Sequence, residues 1–381
     1  MEVRLNFLKS PDSESRMKYE IAQLSEQVLE ARANYRPVLI HGGHTKSFYG
    51  NQYLRSSDEP ISLDMRSLRG IVNYEPTELV LTALAGTPLQ EITDTLEASG
   101  QMLAFDPPAF GAQATLGGCI ASGLSGPGRL GAGPLKDYVL GTHLLDAQGR
   151  VLKFGGEVMK NVAGYDVSRL LAGSMGMFGA LLQISVKVAP KPLQTLTLEW
   201  ECTEAASLAM CHGMRAHPLP VSASAWELVG HRGRLRIRLA GAPAAIESAR
   251  RKIGGEVVNE PESSQYWQDL REQRLSFFMA PHLWRVAVAP GTPALNLGPT
   301  LIEWGGGQRW IAADLEPGMV RNAAQQAHGH ATLFRMGAGK QAPEQGVFHP
   351  LTPAVTTIVK RLKQEFDPKG VFNPGRLVAG I

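Results

Sequence analysis

The groups that could do chemistry are concentrated in three glycine-rich segments. HGGHTKS at 41–47 follows the short apolar run at 38–40, ATLGGCIASG occupies 114–123, and AGSMGMFG occupies 172–179. Without Cβ atoms, backbone N–H groups can approach a phosphate closely, and consecutive N–H groups form an anion site. The segments therefore indicate a dinucleotide site, although many of the 41 glycines in the chain must simply form turns.

Regular elements must position these loops. Ile21, Leu24 and Val28 recur at helical spacing and predict a helix over 17–34. The apolar run at 38–40 then predicts a short buried strand that leads directly into the first glycine-rich loop. A strand that ends in such a loop is a suitable support for an anion site.

A second strand is predicted at 78–85, followed by a helix. Thr87 is the expected N-cap, Pro88 the first helical residue, Gln90 the partner in a capping box, and Gly100 the stop. The apolar face of this helix consists of Leu89, Ile92 and Leu96. We assign that face to the core.

Residues 105–141 are rich in Pro, Gly, Ala and Ser, a composition that is also typical of flexible linkers. Leu116, Ile120 and Val139 interrupt the segment at intervals, which favours ordered loops. The sequence VLGTHLLDAQGRVLKFGG then predicts a β-hairpin that turns at 147–149. The motif APKPLQ near residue 190 indicates a domain boundary, and alternating helix and strand patterns beyond it predict a small capping sheet.

Composition limits the class of function. The chain has 381 residues, a net charge of +3 and 19% charged residues without long single-sign runs, which argues against nucleic-acid binding. No segment approaches the roughly 18 apolar residues of a membrane span, and the N-terminus lacks signal-peptide order, so we expect a cytoplasmic protein. The three cysteines are scattered, so neither a disulfide framework nor an iron–sulfur cluster is expected. No strand precedes a G-x-G-x-x-G helix, which excludes a nicotinamide-type Rossmann site.

The block at 114–123 and the segment FGGEVMKNVAGYDVSRLLAGSMGMFG at 154–179 together resemble the FAD-binding domain of the vanillyl-alcohol oxidase, or PCMH, type. The family usually has Gly-Ser-Glu-Gly-Thr-Leu-Gly-Ile in the second block. The chain keeps the small residues Gly173, Ser174, Gly176 and Gly179 but varies the others. With GIVNYEPTELVLTALAGTPL, GQMLAFDPP, LIEWGGGQRW and GVFNPGRL, nearly the whole chain is similar to the smaller FAD-binding subunit of bacterial glycolate oxidases.

The resemblance implies an α+β fold: a PCMH-type, two-subdomain FAD-binding domain at 1–190, a smaller α+β cap domain at 191–345, and a C-terminal segment at 346–381 that packs back on the FAD domain. It implies FAD as the cofactor. The residues that it assigns to the cofactor are His41, Gly42, Gly43, His44, Thr45, Lys46, Ser47, Pro108, Thr115, Leu116, Gly117, Gly118, Ser122, Gly126, Gly179, Leu181 and Asn373.

Within that set the resemblance places the pyrophosphate at 41–47, the flavin and ribityl chain at 114–126, and the adenine end near Gly179. It places Asn373 and Arg376 near the isoalloxazine edge. It assigns no catalytic residue. His44 has two interpretations, since some oxidases of this superfamily attach flavin covalently to a histidine in a Gly-Gly-His loop, whereas others use this position only as part of a polar loop.

Two further groups of polar residues have competing interpretations. Lys160, Asn161, Tyr165, Asp166 and Arg169 lie in the segment that packs beside flavin in the family, but Asp166 and Arg169 are also spaced to form a structural ion pair on a helix.

His328 and His330 would share one face of a strand and could bind a metal. The Gly-Asp-Gly-Asn-x-His signature of related hydroxyacid dehydrogenases is absent there, so we expect no metal.

The implied function is oxidation of glycolate, or of another small 2-hydroxy acid, to the 2-oxo acid within a complex. The expected partners are a larger flavoprotein subunit that carries the hydroxyacid-oxidising signature and an iron–sulfur subunit, with peripheral association at the inner face of the membrane through the complex. The electrons would leave toward a membrane quinone or another acceptor, with this chain as relay or structural support. Two alternatives remain: a stand-alone FAD-dependent alcohol or sugar oxidase with flavin tethered at His44, and a non-catalytic scaffold with a flavin fold.

Overall fold

The structure is a computed structural model that describes residues 11–53, 59–156 and 166–381. Within these ranges the helices are α1 (Pro11–Ala33), α2 (Leu89–Ala98), α3 (Leu116–Ser122), α4 (Arg129–Ala132), α5 (Val167–Leu171), α6 (Glu204–Arg215), α7 (Pro243–Ile253), α8 (Glu260–Arg271), α9 (Pro317–Gln326) and α10 (Pro353–Phe366).

The strands of the first half are β1 (Val38–His41), β2 (Ile61–Asp64), β3 (Ile71–Glu75), β4 (Val80–Leu84), β5 (Gln101–Met102), β6 (Val139–Leu145), β7 (Val151–Gly155), β8 (Ala180–Lys187) and β9 (Ala189–Pro190). Those of the second half are β10 (Gln194–Glu201), β11 (Val221–Val229), β12 (Arg232–Gly241), β13 (Glu256–Val258), β14 (Leu283–Ala287), β15 (Thr300–Glu303), β16 (Gln308–Ile311) and β17 (His330–Arg335).

A small parallel unit supports the first glycine-rich loop. β1 pairs with β2 in parallel, and α1 covers the unit with Leu24 and Val28, which are buried. Phe372, near the C-terminus, forms a bridge to Val38 on the same strand. The predicted helix and strand are therefore confirmed, and the last residues of the chain pack beside the first strand.

The first half also contains a five-stranded antiparallel sheet in the order β3-β4-β8-β6-β7. Every residue of β4 is buried, and Ile92 and Leu96 of α2 have no exposed surface. The core role predicted for the apolar face of α2 is thus confirmed. The β6–β7 hairpin is also confirmed, with its turn held by the buried Asp146 carboxylate, which accepts from the backbone N–H groups of Gln148 and Arg150 at 2.9 Å each.

The predicted capping box of α2 is wrong. Pro88 is the N-cap, and no side chain in the described part of the chain caps the helix. The Thr87 hydroxyl is instead used in a tertiary contact, since it accepts from the Gly70 N–H at 2.9 Å and donates to the Gly70 carbonyl at 3.1 Å. Gln90 donates to Asp94 at 2.7 Å, one turn along the same helix. A tertiary partner, Gly70 immediately before β3, therefore outweighs the local capping signal.

The second half forms an eight-stranded antiparallel sheet in the order β13-β10-β12-β11-β15-β16-β14-β17. The predicted alternation of helices and strands beyond residue 190 is confirmed, but the sheet is larger than expected, with eight strands against five in the larger sheet of the first half. Its strands all lie between residues 194 and 335. The domain boundaries at 190 and 345 stay a prediction.

The glycine-rich segment 105–141 is ordered, which excludes a flexible linker. Thr115 is the N-cap of α3, and its hydroxyl accepts from the Gly118 N–H at 3.2 Å. Gly123 is the C-cap, where φ is +65°. A Cβ at Gly126 would lie 2.1 Å from the Asp106 carbonyl oxygen. The segment is therefore rich in glycine because two backbone stretches approach too closely for side chains.

The structure describes Asp166 and Arg169 of the first polar group and both histidines of the second. Asp166 caps α5 and its carboxylate lies 3.1 Å from Arg169 Nε, which confirms the ion-pair interpretation. Lys160, Asn161 and Tyr165 lie outside the described residues. His330 begins β17, but His328 precedes the strand in a left-handed turn with φ of +54°. The assumption that both histidines lie on one strand is therefore wrong.

Candidate functional site

A groove lies between four backbone segments of the first half and the C-terminus: the loop after β1, the first part of α3, the turn before β8, and the residues after α10. Its lining residues are Ile40, His41, Gly42, Gly43, His44, Thr45, Lys46, Ser47, Met65, Ala85, Thr115, Gly117, Gly118, Ala121, Ser122, Met175, Gly176, Gly179, Leu181, Asn373 and Arg376. All the residues assigned to the cofactor from the sequence line this groove, except Pro108, Leu116 and Gly126.

The loop at 41–47 presents unused backbone donors. Within the described part of the chain, the N–H groups of residues 43–46 have no hydrogen-bond acceptor. The loop then curls back, because the Ser47 N–H and hydroxyl both donate to the His44 carbonyl, at 3.1 and 2.9 Å. His44 has φ of +57°, in the left-handed region. Consecutive free N–H groups in such a turn can bind an anion.

Two glycines allow this loop to lie against the segment before α3. A Cβ at Gly43 would lie 1.6 Å from the Gln113 carbonyl oxygen, and one at Gly42 would lie 2.5 Å from the Thr115 hydroxyl. The first distance is to backbone, so a side chain at residue 43 would force the loop to move. These glycines are therefore required by backbone packing on one side of the loop, and the packing fixes its position in the groove.

The glycines of α3 act differently from what the sequence predicted. The Gly117 N–H donates to the Ala85 carbonyl at 2.7 Å, and the Gly118 N–H donates to the Thr115 hydroxyl. The expectation that both N–H groups are free to bind a phosphate is wrong, because these protein acceptors already use them. A Cβ at Gly117 would lie 2.9 Å from the Ala85 Cβ, so this glycine lets α3 approach β4.

Asn373, in the C-terminal segment, links two other segments that line the groove. Its Oδ1 accepts from the Ile40 N–H at 2.9 Å, and its Nδ2 donates to the Met175 carbonyl at 2.7 Å. Arg376 donates to the Ser47, Tyr49 and Asn51 carbonyls at 2.6 to 2.8 Å. Asn373 and Arg376 therefore fix the position of the first loop relative to the turn before β8.

A buried ion pair, which the sequence analysis did not predict, is hydrogen-bonded to the turn before β8. Lys363 Nζ donates to the Met177 and Phe372 carbonyls at 2.7 and 2.9 Å and to the Asp367 carboxylate at 2.7 Å. Burial lowers the pKa of Lys363. Its signal was a Lys and an Asp four residues apart near the end of a helix, which is also common at surfaces.

Basic side chains line the groove, and burial makes two of them less basic than usual. Burial and the neighbouring His44 lower the pKa of His41, whose ring stacks on His44 at a centroid distance of 4.3 Å. Lys46 Nζ donates to the Ala109 carbonyl at 3.1 Å, and burial lowers its pKa. Among the residues that the structure describes, those lining the groove include Lys46 and Arg376 but no Asp or Glu. Free N–H groups beside basic side chains fit a diphosphate.

Pro108 and Gly126 lie instead in a second pocket, between the segment 108–127 and the eight-stranded sheet. Its other lining residues are Phe110, Leu124, Ser125, Pro127, Leu270, Arg271, Gln273, Arg285, Glu303, Gln308, Trp310 and Phe334. The sequence analysis predicted none of the residues that the eight-stranded sheet contributes. Leu116 faces neither cavity, since its side chain is fully buried in the core.

The loop between the groove and the second pocket is held from both sides. The Glu272 carboxylate, at the end of α8, accepts from the Phe110 N–H at 2.7 Å and from the Ala109 N–H at 3.2 Å. Arg271 Nη1 donates to the Asp106 carboxylate at 3.1 Å. Because Lys46 binds the Ala109 carbonyl, the first loop, this connecting loop and the end of α8 form one hydrogen-bonded unit.

Comparisons with known proteins agree with this geometry. Residues 19–155 match the family described as FAD binding domain. The chain is 43% identical over 360 residues to the glycolate oxidase subunit GlcE of Escherichia coli strain K12, which covers 94% of this chain and 97% of that protein. It is 30% identical over 159 residues to the glycolate oxidase subunit GlcD of Bacillus subtilis strain 168, which covers 41% of this chain and 34% of that protein.

Among solved structures, an alkyldihydroxyacetonephosphate synthase superposes with a TM-score of 0.67 at 14% identity, covering 93% of this chain and 75% of that one. At that identity the likeness shows the fold alone. The predicted α+β, PCMH-type fold and the predicted FAD cofactor are confirmed by these matches. No helix among the described residues is long and apolar enough to span a membrane.

Proposed function

Because this chain belongs to the family of the glycolate oxidase subunit GlcE, we propose that it is the smaller FAD-binding subunit of a complex that oxidises glycolate, or a similar small 2-hydroxy acid, to the 2-oxo acid. The observation that carries the proposal is the similarity over nearly the whole length of both proteins, together with a groove whose residues fit a dinucleotide.

The residues that would hold FAD are those of the groove. The N–H groups of residues 43–46 and the Lys46 ammonium would bind the diphosphate, while Gly42 and Gly43 keep the loop in place. Asn373 and Arg376 would fix the two walls against each other. Pro108 and Gly126, in the second pocket, would face the flavin end. His44 as a covalent attachment point stays a prediction, supported by its exposed position in a Gly-Gly-His loop of the groove.

Bound FAD would supply the two-electron redox chemistry of the reaction. The protein's part is to bind the nucleotide, to orient the flavin end toward the second pocket, and to exclude water there. The aromatic side chains of Phe110, Trp310 and Phe334 pack together at that pocket, with Trp310 and Phe334 4.9 Å apart between ring centroids. We propose that this chain acts as an electron relay or as structural support, because it lacks the Gly-Asp-Gly-Asn-x-His signature of related hydroxyacid dehydrogenases.

The partners that we propose are a larger flavoprotein subunit and an iron–sulfur subunit. The chain has three cysteines, fewer than the four thiolates that hold a typical iron–sulfur cluster. Cys119 and Cys211 are buried, and burial raises the pKa of each thiol to about 11, which disfavours the thiolate. We propose that a different polypeptide carries the metal centres and that any contact with the inner face of the membrane is made through the complex.

Reconstitution of the complex tests the proposal. This chain is co-purified with its partner subunits, and FAD content per chain and glycolate-dependent dye reduction are measured with and without it. We expect one FAD per copy of this chain and loss of dye reduction when it is omitted. Glycolate-dependent dye reduction that survives its removal would contradict the proposed role.

Two controls separate the alternatives. The purified chain alone is tested for peroxide release with glycolate, simple alcohols and sugars, and release without partner subunits would identify a stand-alone oxidase. Flavin absorbance of the freshly purified chain is measured in parallel. Absence of flavin, with activity of the complex unchanged by a Gly43→Ala chain that still assembles, would identify a scaffold.

A further inference from the structure

Glu272, immediately after α8, is a mostly buried carboxylate that binds the connecting loop (residues 106–112) beside the groove. Its Oε2 accepts from the Phe110 N–H at 2.7 Å and from the Ala109 N–H at 3.2 Å. Its Oε1 accepts from Arg271 Nε at 2.9 Å. Only 8% of the Glu272 side chain is exposed. Hydrogen bonds to a carboxylate are roughly twice as strong as those between neutral groups, so Glu272 binds this loop tightly.

The same loop contacts the ammonium group of Lys46. Lys46 Nζ donates to the Ala109 carbonyl at 3.1 Å and lies 5.7 Å from the centre of the Phe110 ring. Glu272 therefore binds the N–H groups of the two residues whose carbonyl and ring contact Lys46. Burial lowers the pKa of Lys46, and Glu272 is one of the groups that oppose this shift. Lys46 lines the groove, whereas Glu272 is not among the described residues that do.

The end of α8 joins the connecting loop to the second half of the chain. Arg271 Nη1 donates to the Asp106 carboxylate at 3.1 Å, so two consecutive residues at the end of α8 bind the start and the middle of this loop. α8 is bonded in turn to the eight-stranded sheet, where Trp267 Nε1 donates to the Thr197 hydroxyl of β10 at 2.9 Å. The second half therefore determines where the connecting loop lies.

We propose that Glu272 is a positioning residue for FAD: it holds Ala109 and Phe110 so that the Lys46 ammonium stays at the groove, where it binds the diphosphate. The proposal rests on the proposed function, because it requires the diphosphate at the loop 41–47. It goes further by assigning part of the FAD affinity to the second half of the chain. No motif marks Glu272, since its loop partners lie 162 and 163 residues away in the sequence.

A double-mutant cycle on FAD affinity tests this role, with Glu272→Gln and Lys46→Met as the two changes. Gln keeps the size of Glu272 and one acceptor oxygen but removes the negative charge. Glu262→Gln is the matched control, since Glu262 also lies close to an arginine, at 3.5 Å from Arg236, but in the first turn of α8, at the opposite end from Glu272. The FAD dissociation constant of each purified chain is measured by equilibrium dialysis.

Glu272→Gln is expected to weaken FAD binding about 10-fold when Lys46 is present. In the Lys46→Met background it should weaken binding by less than about 2-fold, because the group through which it acts is gone. Glu262→Gln should change FAD affinity by less than about 2-fold. Affinity that Glu272→Gln leaves unchanged, or lowers equally in both backgrounds, would overturn the proposal. Failure of the wild type to bind FAD would instead overturn the proposed function.

A second measurement needs no change at Glu272. If the bonds from Glu272 to the loop favour FAD binding, bound FAD must strengthen those bonds by the same factor. Hydrogen exchange of the Ala109 and Phe110 amides is measured with and without saturating FAD, in the wild type and in Lys46→Met. Exchange that FAD slows about 10-fold in the wild type but not in Lys46→Met supports the proposal. Equal slowing in both chains, or none in the wild type, overturns it.

Discussion

The groove and the second pocket are built by different means. The groove is formed mainly by backbone: free N–H groups at 43–46, glycines that allow close approach, and an asparagine that binds two main-chain groups. The second pocket is formed by side chains from distant parts of the chain, among them Arg271, Arg285, Glu303 and Trp310. Binding of a nucleotide can therefore be preserved by short local motifs, whereas the environment of the flavin end depends on residues that no single motif contains.

If the ion pair between Lys363 and Asp367 stabilises the groove, Lys363→Met should cause the largest loss of stability. Loss of the ammonium leaves the Asp367 carboxylate, which has 0% exposed side-chain surface, without its ionic partner. We expect the free energy of unfolding to fall by about 3–5 kcal/mol in urea denaturation. Lys360→Met, at an exposed position of the same helix, should change it by less than about 0.5 kcal/mol. Similar values for the two variants would refute a supporting role.

The second pocket should show a pH dependence instead. The pKa of Glu303 is raised from 4.5 to about 7 by burial, so its contribution to stability is fully present below pH 4.5 and is lost as pH rises to 7. The free energy of unfolding of wild type relative to Glu303→Gln should therefore fall across that window, by roughly 3 kcal/mol at about 1.4 kcal/mol per pKa unit. Chemical denaturation at several pH values measures this difference. A difference that does not change with pH would show that Glu303 is solvated.

Gly43→Ala tests whether the first loop must keep its position. The added Cβ would meet the Gln113 carbonyl oxygen at 1.6 Å, so the loop must shift and its free N–H groups with it. We expect FAD affinity to fall about 100-fold, or about 2.7 kcal/mol, in equilibrium dialysis. Gly213→Ala is the control, since a Cβ there meets nothing within 4 Å. Unchanged FAD affinity in Gly43→Ala would place the diphosphate away from this loop.

Asn373→Ala should have an intermediate effect. It leaves the Ile40 N–H and the Met175 carbonyl without their partner in a mostly buried setting. We expect a loss of about 1–3 kcal/mol in the free energy of unfolding, with a parallel fall in FAD affinity. Thermal unfolding with and without FAD separates the two effects. A variant that loses stability yet binds FAD normally would show that Asn373 acts only on the fold.

The smallest effect is expected for Arg169→Ala. Its ion pair with Asp166 is half-exposed, with 51% and 53% of the two side chains accessible. Exposed pairs of this kind contribute about 0–1 kcal/mol. FAD affinity should not change. A large loss of FAD affinity would restore the interpretation in which this segment acts on the flavin.

The sequence predicted what depends on local pattern. β1, the β6–β7 hairpin, the apolar face of α2 and most residues of the groove follow from periodicity, turn residues and the family resemblance. The sequence did not predict hydrogen bonds whose partners lie far away in the chain. Thr87 binds Gly70 instead of capping α2, and the Gly117 N–H donates to the Ala85 carbonyl. Lys363 and Glu303 could not be identified either, because only folding brings their partners together.

We propose that the loop at 41–47 binds the diphosphate of FAD. A crystal structure of the FAD-loaded protein tests it most directly. We expect diphosphate oxygens within hydrogen-bond distance of the backbone nitrogens of residues 43–46, with the flavin ring toward Pro108 and Gly126. An FAD-loaded structure in which the diphosphate lies elsewhere and these nitrogens contact only water would contradict it.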